Sequence, residues 1–293
     1  MVSLEGKQRP HLEPIPQNMA NSFSYDAALS YKQSSRSIQK VDGEMFIETD
    51  VCPQAGDAIL DLGCGTGELS AYLAELVGPE GKVVAVDPDK ERVLLAQQSF
   101  REVKNISFVE GSASNFPGIN SYDIIFSNYV IHWIPDKQQL FKNMFESLKH
   151  GEKIAVQYSD YICPFVSSAF KELNCENSER ICNMYHYQRR PKIEQYCSSA
   201  GFRITKSYET HSTQPVFQTI DSLLNWIWSS SHGAFDPALV TEERLQRYYP
   251  YSSRDGKPPF DFRGIKEESR VCRLLAVKKG PEEIERVHKH SQT

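Results

Sequence analysis

A run of seven residues, Asp61-Leu62-Gly63-Cys64-Gly65-Thr66-Gly67, carries the clearest chemical signal in this chain. An apolar stretch precedes it and a helical pattern follows it. A strand, a glycine-rich turn and a helix N-terminus bring backbone N–H groups close to a ligand, because glycine has no side chain and adopts the dihedral angles that the turn needs. The sequence therefore predicts a binding turn for a nucleotide-like ligand.

Two other polar positions are expected at the same edge of a sheet. Asp87 ends one apolar run, and Ser127-Asn128 ends a later run that leads into Tyr129-Val130-Ile131-His132-Trp133. In open α/β sheets, ligands bind at the carboxyl ends of the strands. A carboxylate at Asp87 can accept hydrogen bonds from both hydroxyl groups of a ribose.

The spacing of the glycines argues against a nicotinamide dinucleotide. A dinucleotide fingerprint requires G-x-G-x-x-G, and Glu68 stands where its third glycine would be. Asp61 also places a carboxylate where a pyrophosphate would lie, so two phosphates would be repelled. The same negative charge suits a ligand that carries an ammonium or sulfonium group.

Strand and helix patterns alternate around these residues. Strands are predicted at residues 57–61, 82–87, 106–110, 122–127 and 153–158, with helices between them at 68–77, 90–100 and 137–148. Another helix is predicted from about Ser35 to Glu48, and helices at 166–173, 192–200, 220–228 and 239–248 alternate with strands near 202–210 and 269–278. This order predicts an α/β fold with a doubly wound, mostly parallel sheet of seven strands and helical cap insertions.

Composition excludes several classes of protein. The chain has 293 residues and a formal charge of −5, and its basic residues are scattered, which argues against a nucleic-acid surface. No window holds about 18 apolar residues, so no membrane span is predicted. Seven cysteines without a Cys-x-x-Cys motif indicate reduced thiols and a cytoplasmic location. The spacings of Cys175, Cys182 and His186 match no usual zinc pattern, so no metal is expected.

The motifs together resemble those of class I methyltransferases that depend on S-adenosylmethionine. They extend from about Tyr31 to Tyr158. Within that class, the segment from Ser127 to Trp133 and Ser30-Tyr31-Lys32-Gln33 resemble the small-carboxylic-acid methyltransferases, namely the juvenile hormone acid and malonyl-carrier-protein methyl ester types. The resemblance implies a Rossmann-like fold and methyl transfer to a small acceptor molecule, an apolar carboxylic acid in particular.

The resemblance also implies a role for each matching residue. The backbone of Gly63, Gly65 and Gly67 would pack against the methionine part of S-adenosylmethionine, with Asp61 near its ammonium group. Asp87 would bind the ribose hydroxyl groups.

The remaining cofactor contacts implied by the resemblance are Tyr31, Pro88, Ser112, Ala113 and Asn128. Tyr31 would close over the cofactor from the N-terminal helix, and Asn128 would flank the sulfonium. Pro88, Ser112 and Ala113 would line the adenine. The family usually has an acidic residue where Ser112 stands, and a Pro-Gly-Gly turn where this chain has His150-Gly151-Glu152.

The candidate catalytic residues are His132, Trp133 and Gln39. A carboxylate acceptor, with a pKa of about 4.3, is ionised at neutral pH and needs only to be oriented. A phenol or an amine would instead need a base, for which His132 is the natural choice. A purely structural role for His132 remains an equal alternative.

We expect one methyltransferase domain over residues 25–280. Its core comprises residues 50–158 and the two later strands, and its cap comprises residues 159–200 and 211–265. Residues 1–24 are expected to be disordered and residues 281–293 to form a flexible tail. The alternatives are methylation of a nitrogen, a phenolic oxygen, a protein or an RNA, and a methyltransferase-like fold that binds without turnover.

Overall fold

A seven-stranded sheet forms the centre of the fold. The computed structural model describes residues 24–35, 39–114, 116–161, 170–211, 220–241, 243–244 and 270–280. In these ranges the strands are β1 (Ala58–Leu62), β2 (Lys82–Asp87), β3 (Ile106–Glu110), β4 (Tyr122–Asn128), β5 (Leu148–Tyr158), β6 (Phe202–His211) and β7 (Arg270–Lys278). Their order is β3-β2-β1-β4-β5-β7-β6; the first five are parallel, and β7 is antiparallel to both of its neighbours. The predicted fold class is confirmed.

Helices cover both faces of the sheet. In the described ranges they are α1 (Tyr25–Ser34), α2 (Gln39–Phe46), α3 (Glu68–Val77), α4 (Lys90–Ser99), α5 (Lys137–Ser147), α6 (Ser178–Asn183), α7 (Arg190–Ser199) and α8 (Ile220–Ser230). A π-helical turn, Ile47–Val51, continues α2, and 3₁₀ turns lie at Ile131–Trp133 and Pro237–Leu239.

The strands are apolar on both faces because both faces are buried. Leu60, Val84 and Ile125 belong to one buried cluster, together with Phe141 and its neighbours on α5. The alternate positions of the same strands pack with α2 and α3 in a second cluster, which contains Ile59, Val83, Ile124, Phe126, Phe46 and Leu73. This alternation is the period-two pattern of a strand, here with apolar residues on both faces.

The strand order reverses between β1 and β4, and this reversal creates the crevice of the site. The chain leaves β1 toward α3 on one face and leaves β4 toward α5 on the other face. The two connections therefore separate at the carboxyl ends of the strands, where open α/β sheets bind their ligands. The glycine turn and the segment after Asn128 form the two walls of this crevice.

The predicted single helix from Ser35 to Glu48 is wrong in its bounds. The structure has α1 and α2 instead, and the chain continues past Glu48 in the π-helical turn. Ser24 caps α1, since its side chain accepts a hydrogen bond from the N–H of Ala27 at 3.1 Å. A serine at an N-cap position is the signal that would have located this helix.

Other differences lie around β5 and in the C-terminal half. The strand β5 begins at Leu148, earlier than predicted, and includes an irregularity near Gly151, whose φ is 86°. The short helix α6 was not predicted. Half of each helix predicted at 166–173 and 239–248 lies outside the described residues; residues 170–173 are helical.

The predicted domain boundaries stay a prediction, since residues 1–23 and 281–293 lie outside the described part of the chain. The two late strands that were predicted near 202–210 and 269–278 are β6 and β7. No helix within the described residues is long and apolar enough to cross a membrane.

The N-cap of α1 provides a local test of how the N-terminal helix is held. Replacing Ser24 with alanine removes the hydrogen bond to the Ala27 N–H and should lower the stability of α1 by about 1 kcal/mol. Hydrogen exchange should then show faster exchange of the α1 amides, while β1 amides keep the wild-type rate. Ser24→Asp keeps a capping acceptor and serves as the matched control. Equal α1 exchange rates in both variants would contradict the assignment.

Candidate functional site

The glycine turn after β1 is shaped by close contacts on both sides. A Cβ atom at Gly63 would lie 2.1 Å from Val130 Cγ2, and one at Gly67 would lie 2.7 Å from Phe108 Cε1. Both glycines also have positive φ angles, of 81° and 88°. At Gly65, whose φ is 55°, the same atom would lie 3.3 Å from Tyr31 Cε1. Packing therefore excludes side chains at Gly63 and Gly67, and the ring of Tyr31 lies close to the turn at Gly65.

Asp87, at the end of β2, is oriented by two backbone groups. Its carboxylate accepts hydrogen bonds from the N–H of Gly65 at 2.8 Å and from the N–H of Asp89 at 2.9 Å. Burial raises the pKa of Asp87, while the positive charge of Arg92 opposes this shift. The carboxylate is thus fixed beside the glycine turn, as a ligand for ribose hydroxyl groups requires.

Asp61, at the end of β1, is only 2% exposed. Its Oδ2 accepts one hydrogen bond, from Ser70 Oγ at 2.6 Å. Burial raises its pKa to about 7, against the opposing effect of that hydrogen bond. No cation among the described residues pairs with Asp61, so a ligand with an ammonium group would supply the missing charge.

A cluster of charged and aromatic groups covers the turn. The guanidinium of Arg92 lies 3.8 Å from the centre of the Tyr31 ring, and its Nη2 donates to the carbonyl oxygen of Ser229 at 3.0 Å. Asp89 Oδ2 lies 3.3 Å from Arg92 Nε and 3.1 Å from Nδ1 of His232. Residues of α1, α4 and the end of α8 are thereby joined above the predicted cofactor site.

The predicted adenine contacts lie beside Asp87. The N–H of Gly111 donates to the carbonyl oxygen of Asp87 at 3.1 Å, which ties the end of β3 to the end of β2. Ser112 Oγ lies 2.9 Å from Ser114 Oγ, and the carbonyl oxygen of Ala113 accepts from Asn143 Nδ2 at 2.9 Å. Pro88, Ser112 and Ala113 are half-buried and accessible to a ligand.

Both polar atoms of the Asn128 amide group are engaged within the protein. Nδ2 donates to the carbonyl oxygen of Gln39 at 2.9 Å, and Oδ1 accepts from Gln157 Nε2 at 2.8 Å. The side chain of Asn128 thus anchors the first turn of α2. Gln39 Oε1 is buried and has no hydrogen-bond partner among the described residues. The structure brings Gln39 and Asn128 together; their roles toward a ligand stay predictions.

His132 and Trp133 lie in an aromatic wall on the other side of the crevice. The His132 ring stacks on Tyr187 at 5.3 Å with an interplanar angle of 7°, and Trp133 packs on Tyr185 at 4.3 Å. Trp133 also meets His232 edge-on at 5.1 Å, which connects this wall to the cluster around Arg92. We refer to His132, Trp133, Tyr185 and Tyr187 as the aromatic wall.

His132 is buried and neutral. Burial lowers its pKa to about 3, and the positive charge of Lys137 acts in the same direction. Its Nδ1 has no hydrogen-bond partner among the residues that the structure describes. A histidine in this state is a poor base, but it can exchange a hydrogen bond with a ligand.

Lys137 holds the aromatic wall in place. Its ammonium group donates to the carbonyl oxygen of Ile134 at 2.7 Å and to that of His186. The N–H of His186 in turn donates to the carbonyl oxygen of His132 at 2.6 Å. Burial lowers the pKa of Lys137 to about 8.

Sequence reasoning missed several residues of this site. Ser70, Arg92 and His232 contact the predicted residues Asp61, Tyr31 and Trp133 but were not predicted. Ser70 lies at a buried position of α3, where a polar residue signals a specific partner. Nothing in the local sequence marks His232, because its contact with Asp89 spans 143 residues.

One group of side chains away from this crevice has the spacing of metal ligands. Ligand atoms of Asp160, Glu209 and Cys272 lie within 4.8 Å of one another. Arg270, however, lies 3.3 Å from a carboxylate oxygen of both Asp160 and Glu209. The carboxylates therefore already have a cationic partner, and we assign this group to ion pairing.

Comparison with known proteins identifies what the chain resembles. A family model described as a methyltransferase domain matches residues 53–218, more than half of the chain. A demethylmenaquinone methyltransferase of Lactococcus lactis is 32% identical over 164 residues, which cover 53% of this chain and 63% of that protein. A trans-aconitate 2-methyltransferase of Deinococcus radiodurans is 34% identical over 99 residues, covering 34% of this chain and 36% of that protein. The chain thus matches less than two thirds of the length of these relatives.

The fold has counterparts among solved structures. The phosphoethanolamine N-methyltransferase 2 of Haemonchus contortus, in complex with S-adenosyl-L-methionine, superposes with a TM-score of 0.57 and 16% sequence identity. The match covers 88% of this chain and 58% of that chain. At this identity the likeness concerns the fold alone.

The raised pKa of Asp61 predicts a pH dependence of folding stability. The pKa of Asp61 is about 7 in the folded protein, whereas the ordinary value of 3.8 applies to the unfolded chain. Between these two values the folded state retains a proton that the unfolded state has lost. The free energy of unfolding should therefore fall as the pH rises from about 5 to 7, by up to about 1.4 kcal/mol per unit.

Urea unfolding of the wild type and of Asp61→Asn at several pH values measures this effect. The asparagine keeps an acceptor for Ser70 but does not ionise, so its profile should lack the Asp61 contribution. Asp26→Asn, at an exposed position of α1, is the matched control and should follow the wild type. Parallel profiles for the wild type and Asp61→Asn would refute the assignment.

Proposed function

Because the chain belongs to the methyltransferase-domain family, we propose that it transfers a methyl group from S-adenosylmethionine to a small acceptor molecule. The observation that carries this proposal is the pair of buried carboxylates, Asp61 and Asp87, near the carboxyl ends of adjacent parallel strands beside the glycine turn. A ligand with one cationic group and two neighbouring hydroxyl groups matches this pair.

The residues around the turn fit the chemistry of S-adenosylmethionine. Asp87 is held by the N–H groups of Gly65 and Asp89 and would accept hydrogen bonds from the ribose hydroxyls. Asp61 lacks a cation, and Gln39 Oε1 lacks a donor, among the described residues. The ammonium group of the methionine part would pair with Asp61, and a donor of the cofactor would satisfy Gln39 Oε1. Tyr31, whose ring lies close to Gly65, would cover the cofactor there.

We further propose an apolar carboxylic acid as the acceptor. S-adenosylmethionine supplies, when bound, a methyl group activated by its sulfonium sulfur. A carboxylate oxygen forms the new C–O bond with its own electron pair, while the electron pair of the broken S–C bond stays on sulfur. The products are a methyl ester and a thioether, and no proton is transferred, so the protein needs no general base.

The state of His132 supports this choice of acceptor. With a pKa of about 3, His132 cannot take the proton of a phenol or an ammonium group efficiently at neutral pH. As a neutral ring it can donate one hydrogen bond to a carboxylate oxygen, and the nearby positive charge of Lys137 favours an anion. The aromatic wall supplies apolar contacts to the rest of the acid. A relative named for trans-aconitate, a carboxylic acid, is consistent with this proposal.

A planar aromatic acceptor is the second candidate. The parallel rings of His132 and Tyr187 offer flat faces on which a quinol or phenol ring could stack. The name of the demethylmenaquinone methyltransferase relative points to the same class. Such an acceptor would have to enter as its anion, because His132, which stacks in the aromatic wall, is too weak a base at neutral pH.

Titration with S-adenosylmethionine tests the cofactor proposal. Isothermal titration of the wild type should show binding, and Asp87→Ala should weaken it by about tenfold or more, since a charged hydrogen bond contributes about 1.5–3 kcal/mol. Affinity should rise with pH between about 6 and 7 as Asp61 loses its proton, by up to about tenfold per unit. Asp61→Asn should bind more weakly and lose this pH dependence, whereas Asp26→Asn should behave as the wild type. Absence of binding to the wild type would refute the proposal.

A screen with a methyl-labelled cofactor tests the acceptor. Fatty, terpenoid and aromatic acids should be labelled. At saturating cofactor kcat should stay flat from about pH 5.5 to 7, because neither His132 nor the acid titrates there and Lys137, with a pKa of about 8, keeps its charge. His132→Ala should lower kcat/KM for the acid, while His150→Ala, at an exposed position, should not.

Three outcomes of this screen would count against the carboxylic acid. Labelling of phenols or amines alone would favour the other acceptors, and a kcat profile with an inflection near pH 6.5 would assign His132 as a base. Cofactor binding without labelling of any acceptor would favour a protein that binds without turnover.

A further inference from the structure

A row of polar side chains crosses the apolar interior of the sheet. The strand register pairs Asn128 with Gln157, Gln157 with Arg273, and Arg273 with Tyr208. Cross-strand partners point to the same face, so these four side chains, the polar row, lie side by side. On the same face the adjacent positions are Phe126, Ala155 and Leu275 of the core beneath α2. Polar groups in such a core must be hydrogen-bonded to be tolerated.

The hydrogen bonds of the polar row run in one direction. Arg273 Nε donates to Gln157 Oε1 at 2.6 Å, and Gln157 Nε2 donates to Asn128 Oδ1 at 2.8 Å. Asn128 Nδ2 then donates to the carbonyl oxygen of Gln39 at 2.9 Å. A guanidinium group can only donate, so Arg273 fixes which end of the Gln157 amide faces it. That choice fixes the orientation of Asn128 in turn.

The positive charge at the start of the row is balanced by Asp50 in the π-helical turn. Arg273 Nη1 lies 3.0 Å from Asp50 Oδ2, and the Asp50 side chain is buried. Burial alone would raise the pKa of Asp50, but hydrogen bonds from Lys206, Tyr208 and Thr49 hold it below its usual value. Asp50 is therefore ionised, and Arg273 joins β7 to the segment that continues α2.

The far end of the row reaches the predicted cofactor site. Gln39 is the first residue of α2, and its Oε1 is one of the acceptors assigned to the cofactor. The helix lies directly on Asn128, because a Cβ atom at Gly43 would be 2.9 Å from Asn128 Nδ2. A reversed Asn128 amide would set its oxygen against the Gln39 carbonyl oxygen and displace the start of α2.

We propose that Arg273 is a positioning residue for cofactor binding, which acts through Gln157 and Asn128 to hold Gln39 at the edge of the cofactor site. The inference rests on the proposed function for the identity of the ligand. It assigns a role to a residue on β7 that lies 116 residues from Gln157 in the sequence and is not predicted to touch the cofactor.

Gln157 is the best position at which to test the direction of the hydrogen bonds in the polar row. Removal of Arg273 would leave Asp50 buried without its partner, and the variant could fail to fold. Gln157→Glu keeps the size of the side chain and the contact with Arg273, but a carboxylate cannot donate to Asn128 Oδ1. Asn128 must then turn its Nδ2 toward Glu and its oxygen toward Gln39. Gln157→Met, which interrupts the row without adding charge, is the second variant.

Two measurements test the proposal, one on the stability of α2 and one on the affinity for the cofactor. Hydrogen exchange without cofactor should show the α2 amides exchanging about tenfold faster in Gln157→Glu, with β1 amides unchanged, as expected when a hydrogen bond is replaced by a repulsive contact. The Kd for S-adenosylmethionine should rise by about tenfold or more. Gln157→Met should show smaller changes in the same direction. Gln195→Glu, the same substitution at an exposed position of α7, should leave both quantities at wild-type values.

The outcomes separate this inference from the proposed function. Wild-type exchange rates in α2 and wild-type affinity in both Gln157 variants would overturn the positioning role. Faster exchange in α2 with unchanged affinity would also overturn it, since the row would then support only the helix. If the wild type did not bind S-adenosylmethionine, the proposed function would fail. The polar row would still be tested, because wild-type exchange rates of the α2 amides in both Gln157 variants would refute its orientation independently.

Discussion

The burial of two carboxylates at the carboxyl ends of adjacent parallel strands is the constraint on which this site depends. Removal of an ionised carboxylate from water costs several kcal/mol unless other groups replace the lost solvation. Asp87 obtains that replacement from two backbone N–H groups, and the turn at Gly65 provides one of them. Among the described residues Asp61 obtains one hydroxyl donor, and burial raises its pKa to about 7. The backbone thus gives Asp87 two N–H donors, whereas α3 gives Asp61 a single hydroxyl group and no described residue gives it a cation.

The two walls of the crevice differ in composition. Val130, after β4, contacts the turn at Gly63 so closely that no side chain fits there. The wall that carries the carboxylates therefore presents backbone at the glycine turn. The opposite wall carries no described carboxylate; it consists of stacked rings, and Lys137 holds it through carbonyl oxygens.

The sequence predicts those features that depend on short segments. The glycine spacing, the strands on either side and the acidic residues at strand ends all lie within a few residues of one another, and the fold class follows from their alternation. The residues that were missed act over long separations. Arg92 bonds to Ser229 across 137 residues, and no periodicity in either segment marks that contact. Gln157 is an intermediate case, since a glutamine inside the apolar run of β5 signals a buried partner without naming it.

The polarity of the two walls suits the chemistry proposed for them. On the cofactor side, the groups that can still accept hydrogen bonds from a ligand are Asp61, Asp87 and Gln39 Oε1. They match a ligand that carries positive charge on its methionine part and hydroxyl donors on its ribose. On the opposite side the charged group is Lys137, and His132 is neutral. An anionic acceptor, as proposed, would therefore be favoured on that side. Methyl transfer to it would remove positive charge from sulfur and negative charge from the acceptor. Asp87 and Lys137 are already oriented by hydrogen bonds in the folded protein, so they would need little reorganisation, and such preorganisation is a main source of electrostatic catalysis.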